Sequence, residues 1–411
     1  QVSNVNGTNN FANEKNFDFD SNWSGLKRTL VSGATISSNG TLTTQNISIT
    51  GKYYNLTIPQ TSIEGKAFTG KIYVTNHSCS TSEILGYYTI LANNTVHETT
   101  PDFTKTATTN EGLFKAQDDL GTIYYFRGAV DNNWVKFGKD SSGNNIYWRI
   151  IRINGDGSIR MIYTGTTAPT ESTKVVMAGE GTQIGTSAFN SSADKSEYVG
   201  YMYKSGEQHG TMYSSVIKTT VDNWYKTTTL ETDNATKSLV ADQIFCNDRT
   251  ASTSAVTYST TNYTTLTSWN STGTTYYYGA NGRLKSNKKP ILTCPTASDK
   301  FTSKNSSIGN KALEYPVGLI TADEITMAGG VFGNGNDNSS YYLYTNRDYW
   351  TGSPYYFDSD SAYATEFYVF SSGFIGNMGV YNAFGARPVV SLSSEAKLLG
   401  NGTYNDVYTV S

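Results

Sequence analysis

The stretch NNIYWRIIRINGDGSIRMIYTG (residues 144–165) decides the fold class. Trp148 and Ile150 alternate with Arg149 and Ile151, and Ile159, Met161 and Tyr163 alternate with Arg160. A period of two places successive side chains on opposite faces of a strand. Between the two runs, Asn154-Gly155-Asp156-Gly157 supplies residues that tolerate positive φ, so the stretch reads as a β-hairpin. Its turn is explained by the hairpin alone; NGDGS lacks the further carboxylates of a calcium loop.

The same chemistry recurs outward in both directions. Asn39-Gly40 separates TLVSGATISS from TLTTQNISIT, a second hairpin signal, and YYNLTI and GKIYVTN continue the pattern. Residues 1–20 read as an extended segment in which Phe17 and Phe19 alternate with Asp18 and Asp20; residues 21–108 read as an immunoglobulin-like β-sandwich. A polar stretch without periodicity, TPDFTKTATTNEG, marks a linker over about 100–112. Residues 109–411 form the remaining domain. There, SSVIKTTVDNWYK (214–226) reads as a helix capped by Ser214 or Ser215, with Ile217, Val221, Trp224 and Tyr225 on one face. A second short helix starts at Thr321 and stops at Gly329-Gly330. PVVSL and DVYTV close the chain as a pair of strands, and no fixed-period repeat suggests a solenoid or propeller.

Composition agrees. Of 411 residues 16% are charged, against about 25% in ordinary soluble domains, and Tyr is abundant at 31. Thr and Tyr suit half-buried strands, and Asn and Gly suit turns. The expected fold class is therefore mainly β with an α+β part. A net charge of −3 without a basic patch argues against nucleic acid as partner. No apolar run is long enough to span a membrane. The chain starts at Gln1, which fits a removed leader or a fragment. Its Asn- and Thr-rich composition makes N-x-S/T sequons such as Asn46-Ile-Ser by chance.

Several strings occur together and in order: GTIYYFRGAVDNNWVKF (121–137), YWRIIRINGDGSIRMIY (147–163), FCNDR (245–249), KALEYPVGLITADEITMAGG (311–330), YWTGSP (349–354) and GARPVVSL (385–392). With these, residues 111–411 resemble a family of uncharacterised secreted surface proteins of gut-type Firmicutes, whose members often carry prepilin-like export signals. The ending, a Trp strand, an aromatic and Gly stretch and then G-x-R-P, is similar to the C-type-lectin-like fold that formylglycine-generating enzymes share. The resemblance implies an α+β lectin-like domain over 109–411, secretion to the cell surface, and display of a variable surface without one shared reaction. It also groups Cys246 and Cys294 in the recognised segment and so implies a disulfide between them, with Cys79 apart in the other domain.

Catalytic patterns are weak. His77, His97 and His209 are far apart, with neither H-E-x-x-H nor C-x-x-C, no G-x-S-x-G elbow and no P-loop. Asp358, Asp360 and Glu366 are the carboxylates to test as a calcium site or, less favoured, a glycosidase pair, and loop solubility with turn formation is the plainer reading of all three. No metal or organic cofactor is expected, and no enzymatic activity. Binding is the richer signal. Tyr355, Tyr356, Phe357, Tyr363, Phe374 and Tyr381 are mixed with Ser, Gly, Asn and Asp, the palette of antibody paratopes; alternation predicts that about half of such aromatics fill a core instead. Arg387-Pro388 reads as structural, the Arg reaching a carbonyl or carboxylate beneath it. The functional expectation is an extracellular subunit of a pilus-like filament that displays a lectin-like binding domain. Neighbouring copies would contact each other through the N-terminal domain, with Phe17 and Phe19 as the donated strand. The alternative is a monomeric cell-surface adhesin for host glycan or protein ligands.

Overall fold

The computed structural model describes residues 85–252, 276–358 and 361–411, together with the strand pairs Phe17–Asp18 with Lys52–Tyr53 and Thr257–Tyr258 with Thr261–Asn262. The chain divides into two units, Gln1–Ile84 and Leu85–Ser411. In the first, Phe17 stands opposite Tyr53 in an antiparallel pair. Phe19, Cys79 and most of the expected sandwich lie outside the described residues.

The second unit takes in residues 85–108, which the sequence reading gave to the preceding domain and the linker. Helix Gly86–Ala92 buries Ile90, Phe103 and Ala107 are buried, and Val96–His97 pairs with Leu113–Phe114. Three isolated apolar contacts spaced along polar sequence carry no periodicity, which is why the stretch looks like a linker.

The decisive hairpin forms. Asn145–Ile153 pairs antiparallel with Ile159–Gly165, and Gly157 takes φ +85° at the turn. Around it grows a ten-stranded sheet in which Val240–Ala241, Val389–Leu392, Ile159–Gly165, Asn145–Ile153, Gly121–Gly128, Asn110–Asp118 and Val96–His97 lie side by side. A branch runs from Asn145–Ile153 through Trp134–Lys139 to Tyr408–Val410 and Leu398–Leu399. The terminal strands thus do not pair with each other: Val389–Leu392 lies against Ile159–Ile162, and Tyr408 lies against Val135. A six-stranded sheet orders Ile375–Gly379, Tyr363–Val369, Tyr349–Asp358, Ala383–Gly385 and Thr186–Ala188, with Tyr276–Tyr277 also on the Tyr349 strand. The molecule is mainly β, as the composition requires.

Both expected helices form. Val216–Tyr225 is capped by Ser215, whose hydroxyl accepts from the Lys218 amide, and it buries Ile217, Val221 and Tyr225. Ala322–Ala328 carries a reciprocal cap between Thr321 and Glu324 and ends at Gly329, φ +122°.

Candidate functional site

The alternation that located the hairpin says nothing about its arginines, and these organise the interior. Arg149, Arg160, Arg249 and Arg387 are all essentially inaccessible to solvent. Arg387 behaves as its Arg-Pro context suggests: it donates to the Tyr163 carbonyl through Nε (3.2 Å) and Nη2 (3.1 Å) and to the Leu343 carbonyl through Nη1 (3.1 Å). Its guanidinium lies 4.7 Å from the Tyr349 ring centre. Arg149 is held the same way, by the carbonyls of Val130 (2.6 Å) and Val175 (2.7 Å) and by Asn133 Oδ1 (2.5 Å).

A cleft opens where the hairpin meets helix Ala322–Ala328 and the Cys246–Cys294 disulfide, which is formed with a Cα–Cα distance of 5.6 Å. It encloses a cavity of about 30 Å³. Arg152 bridges Asp118 (2.7 Å) and Glu324 (3.1 Å), and Arg160 Nε lies 2.6 Å from Glu324 Oε1, close enough to pair but not aligned as a hydrogen bond. Arg283 joins Asp248 (2.6 Å) to Asp323 (3.0 Å). Asp119 accepts from Lys300 and from the Cys294 amide, both at 2.8 Å. Burial pushes the Glu324 carboxyl up, but Arg160 and Arg152 outweigh it and hold the group below the ordinary range. Burial likewise works against the Arg283 charge, and Asp323 and Asp248 reverse the effect and raise it. Every carboxylate here is committed to a cation or an amide. The arrangement clamps the hairpin, helix Ala322–Ala328 and the disulfide-linked segment together.

The aromatic stretch divides. Tyr355 and Phe357 are buried, Tyr355 packing edge-on against Phe367 at 4.8 Å, so they belong to the core and not to a ligand surface. Tyr356 is half-buried beside Tyr277, and Phe374 is half-buried and stacked on Phe370. Tyr363 and Tyr381 meet edge to face at 5.9 Å, and Tyr381 is 52% exposed. Asp358 and Glu366 have different surroundings. Asp358 accepts from Ser361 (2.6 Å), Asp360 lies outside the described residues, and Glu366 is fully buried in the middle of its strand with neither oxygen hydrogen-bonded. Glu366, buried within its strand, is no part of an exposed loop site, and the Asp358 and Asp360 loop lies partly outside the described residues. Among the described residues no group of three or more acidic, His or Cys side chains has an arrangement that could hold a metal ion.

The outward-facing apolar surface lies elsewhere. Met212, Tyr213 and Val216 are exposed on a short hairpin, Met202–Tyr203 with Tyr213–Ser214, and on the first turn of the helix after it. Tyr203 carries Tyr213 at 5.8 Å and Tyr198 at 5.2 Å. The hairpin is pinned at its base: Arg249 Nη1 donates to the carbonyls of Met202 and Gly210, both at 2.8 Å, and His209 Nδ1 lies 2.9 Å from Asp299, which Arg249 also grips. Asn190 ties the Tyr198 turn to the Tyr381 end, donating to the carbonyls of Val380 (2.9 Å) and Tyr198 (3.4 Å). The sequence reading passed over these residues, although EYVGYMYKSGEQHGTMYSS (197–215) is a Tyr, Gly and Ser mixture like the one singled out further on. His209 finds its partner 90 residues away and not in the adjacent Glu207.

No family model, curated protein or solved structure matches the chain.

Proposed function

We propose that this chain is an extracellular binding protein that displays the Tyr198, Tyr203, Met212, Tyr213, Val216 and Tyr381 surface to a glycan or protein ligand. One observation carries the reading: large apolar side chains are exposed on a hairpin whose base is locked by a buried arginine. Rigid aromatics present area at low entropy cost, and a pinned base keeps that cost low on binding. A disulfide supports an oxidising, extracellular setting. The committed carboxylates of the cleft favour binding over catalysis. A lectin-like domain in a secreted surface-protein family, assembled into filaments through the first unit, belongs to the same proposal. The order of motifs over 111–411 supports the family; the Phe17–Asp18 strand pairs with Lys52–Tyr53 of its own chain, so assembly through it would need that pair to exchange between copies.

The test is a double variant, Met212→Ser with Tyr213→Ala, screened beside the parent on glycan and host-surface protein panels. Both sites are exposed, so the melting temperature should stay within a few degrees of the parent's while binding falls at least tenfold. Equal binding by parent and variant removes this surface from the proposal.

A further inference from the structure

Glu366 is the one carboxyl of the six-stranded sheet that the cleft does not use and that no partner satisfies. It stands on Tyr363–Val369, the second strand from one edge, opposite Pro354 on one side and Met378 on the other. That strand keeps an unbroken register with Ile375–Gly379, so Glu366 shares a face with Tyr368, the face that also carries Trp350. Segment 186–203 approaches this face: Phe189 meets Trp350 at 5.9 Å, and Ala364 donates to the Ala193 carbonyl at 2.8 Å. Glu366 is 0% exposed, and among the described residues neither oxygen has a hydrogen-bond donor and no cation forms an ion pair with it.

The charged and titratable groups of the packed elements are few. From the Ser196–Val199 turn comes Glu197, which accepts from the Gly206 amide. Tyr201 follows, buried. Arg249 is the nearest cation to act on Glu366, and its own donors are taken by Asp299 and by the Met202 and Gly210 carbonyls. Pro354 and Met378, across the two neighbouring strands, carry no charge. An ionised carboxylate in such a place would lose its hydration with nothing in return, whereas the neutral acid loses far less.

We propose that Glu366 is a built-in alkaline switch: the six-stranded sheet is packed around a protonated carboxyl, and ionisation of that carboxyl loosens the sheet and the Tyr363–Tyr381 edge it carries. Burial acts in the same direction, pushing the Glu366 carboxyl well above the ordinary range against the opposing pull of Arg249. The sign follows from linkage. The unfolded chain releases this proton near pH 4.3, while the folded chain retains it. Folding therefore takes up a proton, and this contribution to stability falls as pH rises from about 4.3 up to the folded-state titration.

Glu366→Gln keeps the shape and removes the charge. Expected is a variant that melts close to the parent at pH 4.5 and increasingly above it toward pH 8.5, so that the difference in melting temperature grows with pH. A difference independent of pH, or one that shrinks, overturns the proposal. Glu366→Met reads the same slope should the Gln variant fold poorly. Infrared spectra of the parent at pH 7 give a test that needs no variant: a protonated-carboxyl carbonyl band, shifted by deuterium, should persist when the exposed carboxyls are ionised. Its absence overturns the proposal equally.

Discussion

Two buried glutamates show how one residue type takes opposite roles. Glu324 faces Arg152 and Arg160 and accepts from the Thr321 amide, so its charge is matched; Glu366 faces nothing that matches it. Their pH dependences consequently run in opposite directions. Glu324 is held below its unfolded value, so it stabilises the fold above about pH 4.3 and loses that contribution as pH falls through its folded-state titration. Glu324→Gln should cost about 3–5 kcal/mol at neutral pH, because it leaves Arg152 and Arg160 under-paired, and it should flatten the acid limb of a urea-melt pH series. Arg387 is a different case, since its partners are carbonyls. Arg387→Met would remove both guanidinium donors from the Tyr163 carbonyl and leave the Leu343 carbonyl to the Tyr349 hydroxyl alone, and a loss of about 3 kcal/mol is expected in the same melts, with Arg387→Lys only partly recovering it for want of the planar fork.

At the level of elements, the turns and caps state their requirements locally. Thr321 and Glu324 cap each other, and Gly329 ends the helix in a positive-φ conformation where an added Cβ would meet the Ala107 Cβ at 2.7 Å. Thr321→Ala should cost about 1 kcal/mol. Gly329→Ala should cost about 2 kcal/mol by thermal melting, since it brings both strain and a clash. The Cys246–Cys294 link closes a loop with a sequence separation of 48, worth about 4 kcal/mol in the chain-entropy picture. Replacing both cysteines by Ser should lower the denaturant midpoint accordingly, and adding reductant to the parent should reproduce the shift.

For the molecule as a whole, the boundary at Leu85 has consequences for truncation. Residues 85–411 should melt in one cooperative transition. Residues 109–411 lack Ile90, Phe103 and Ala107, which are buried in the unit, and should melt lower or aggregate; equal melting temperatures would show that 85–108 is dispensable. Deletion of residues 1–20 tests assembly. If the parent forms filaments, the deletion should abolish them under electron microscopy. A parent that stays monomeric at every concentration leaves the adhesin reading alone.

The sequence by itself determined whatever depends on near neighbours along the chain. Period-two alternation fixed the hairpin at 144–165, the Ser214-Ser215 pair and Thr321 marked two helix starts, and Gly329 a helix end, because each rests on backbone geometry within a few residues. Only the tertiary structure decided which faces are covered. Strands with solvent on one side leave their arginines wet, but here both faces of the main hairpin are buried, so Arg149 and Arg160 became interior hubs. The same covering sent Tyr355 and Phe357 inward and left Met212 and Tyr213 outside, although all four stand in tyrosine-rich sequence. Asp299 reaches His209 across 90 residues, and Glu366 is isolated by segments far from it in sequence. Burial is a property of what packs on top, and no local pattern encodes it.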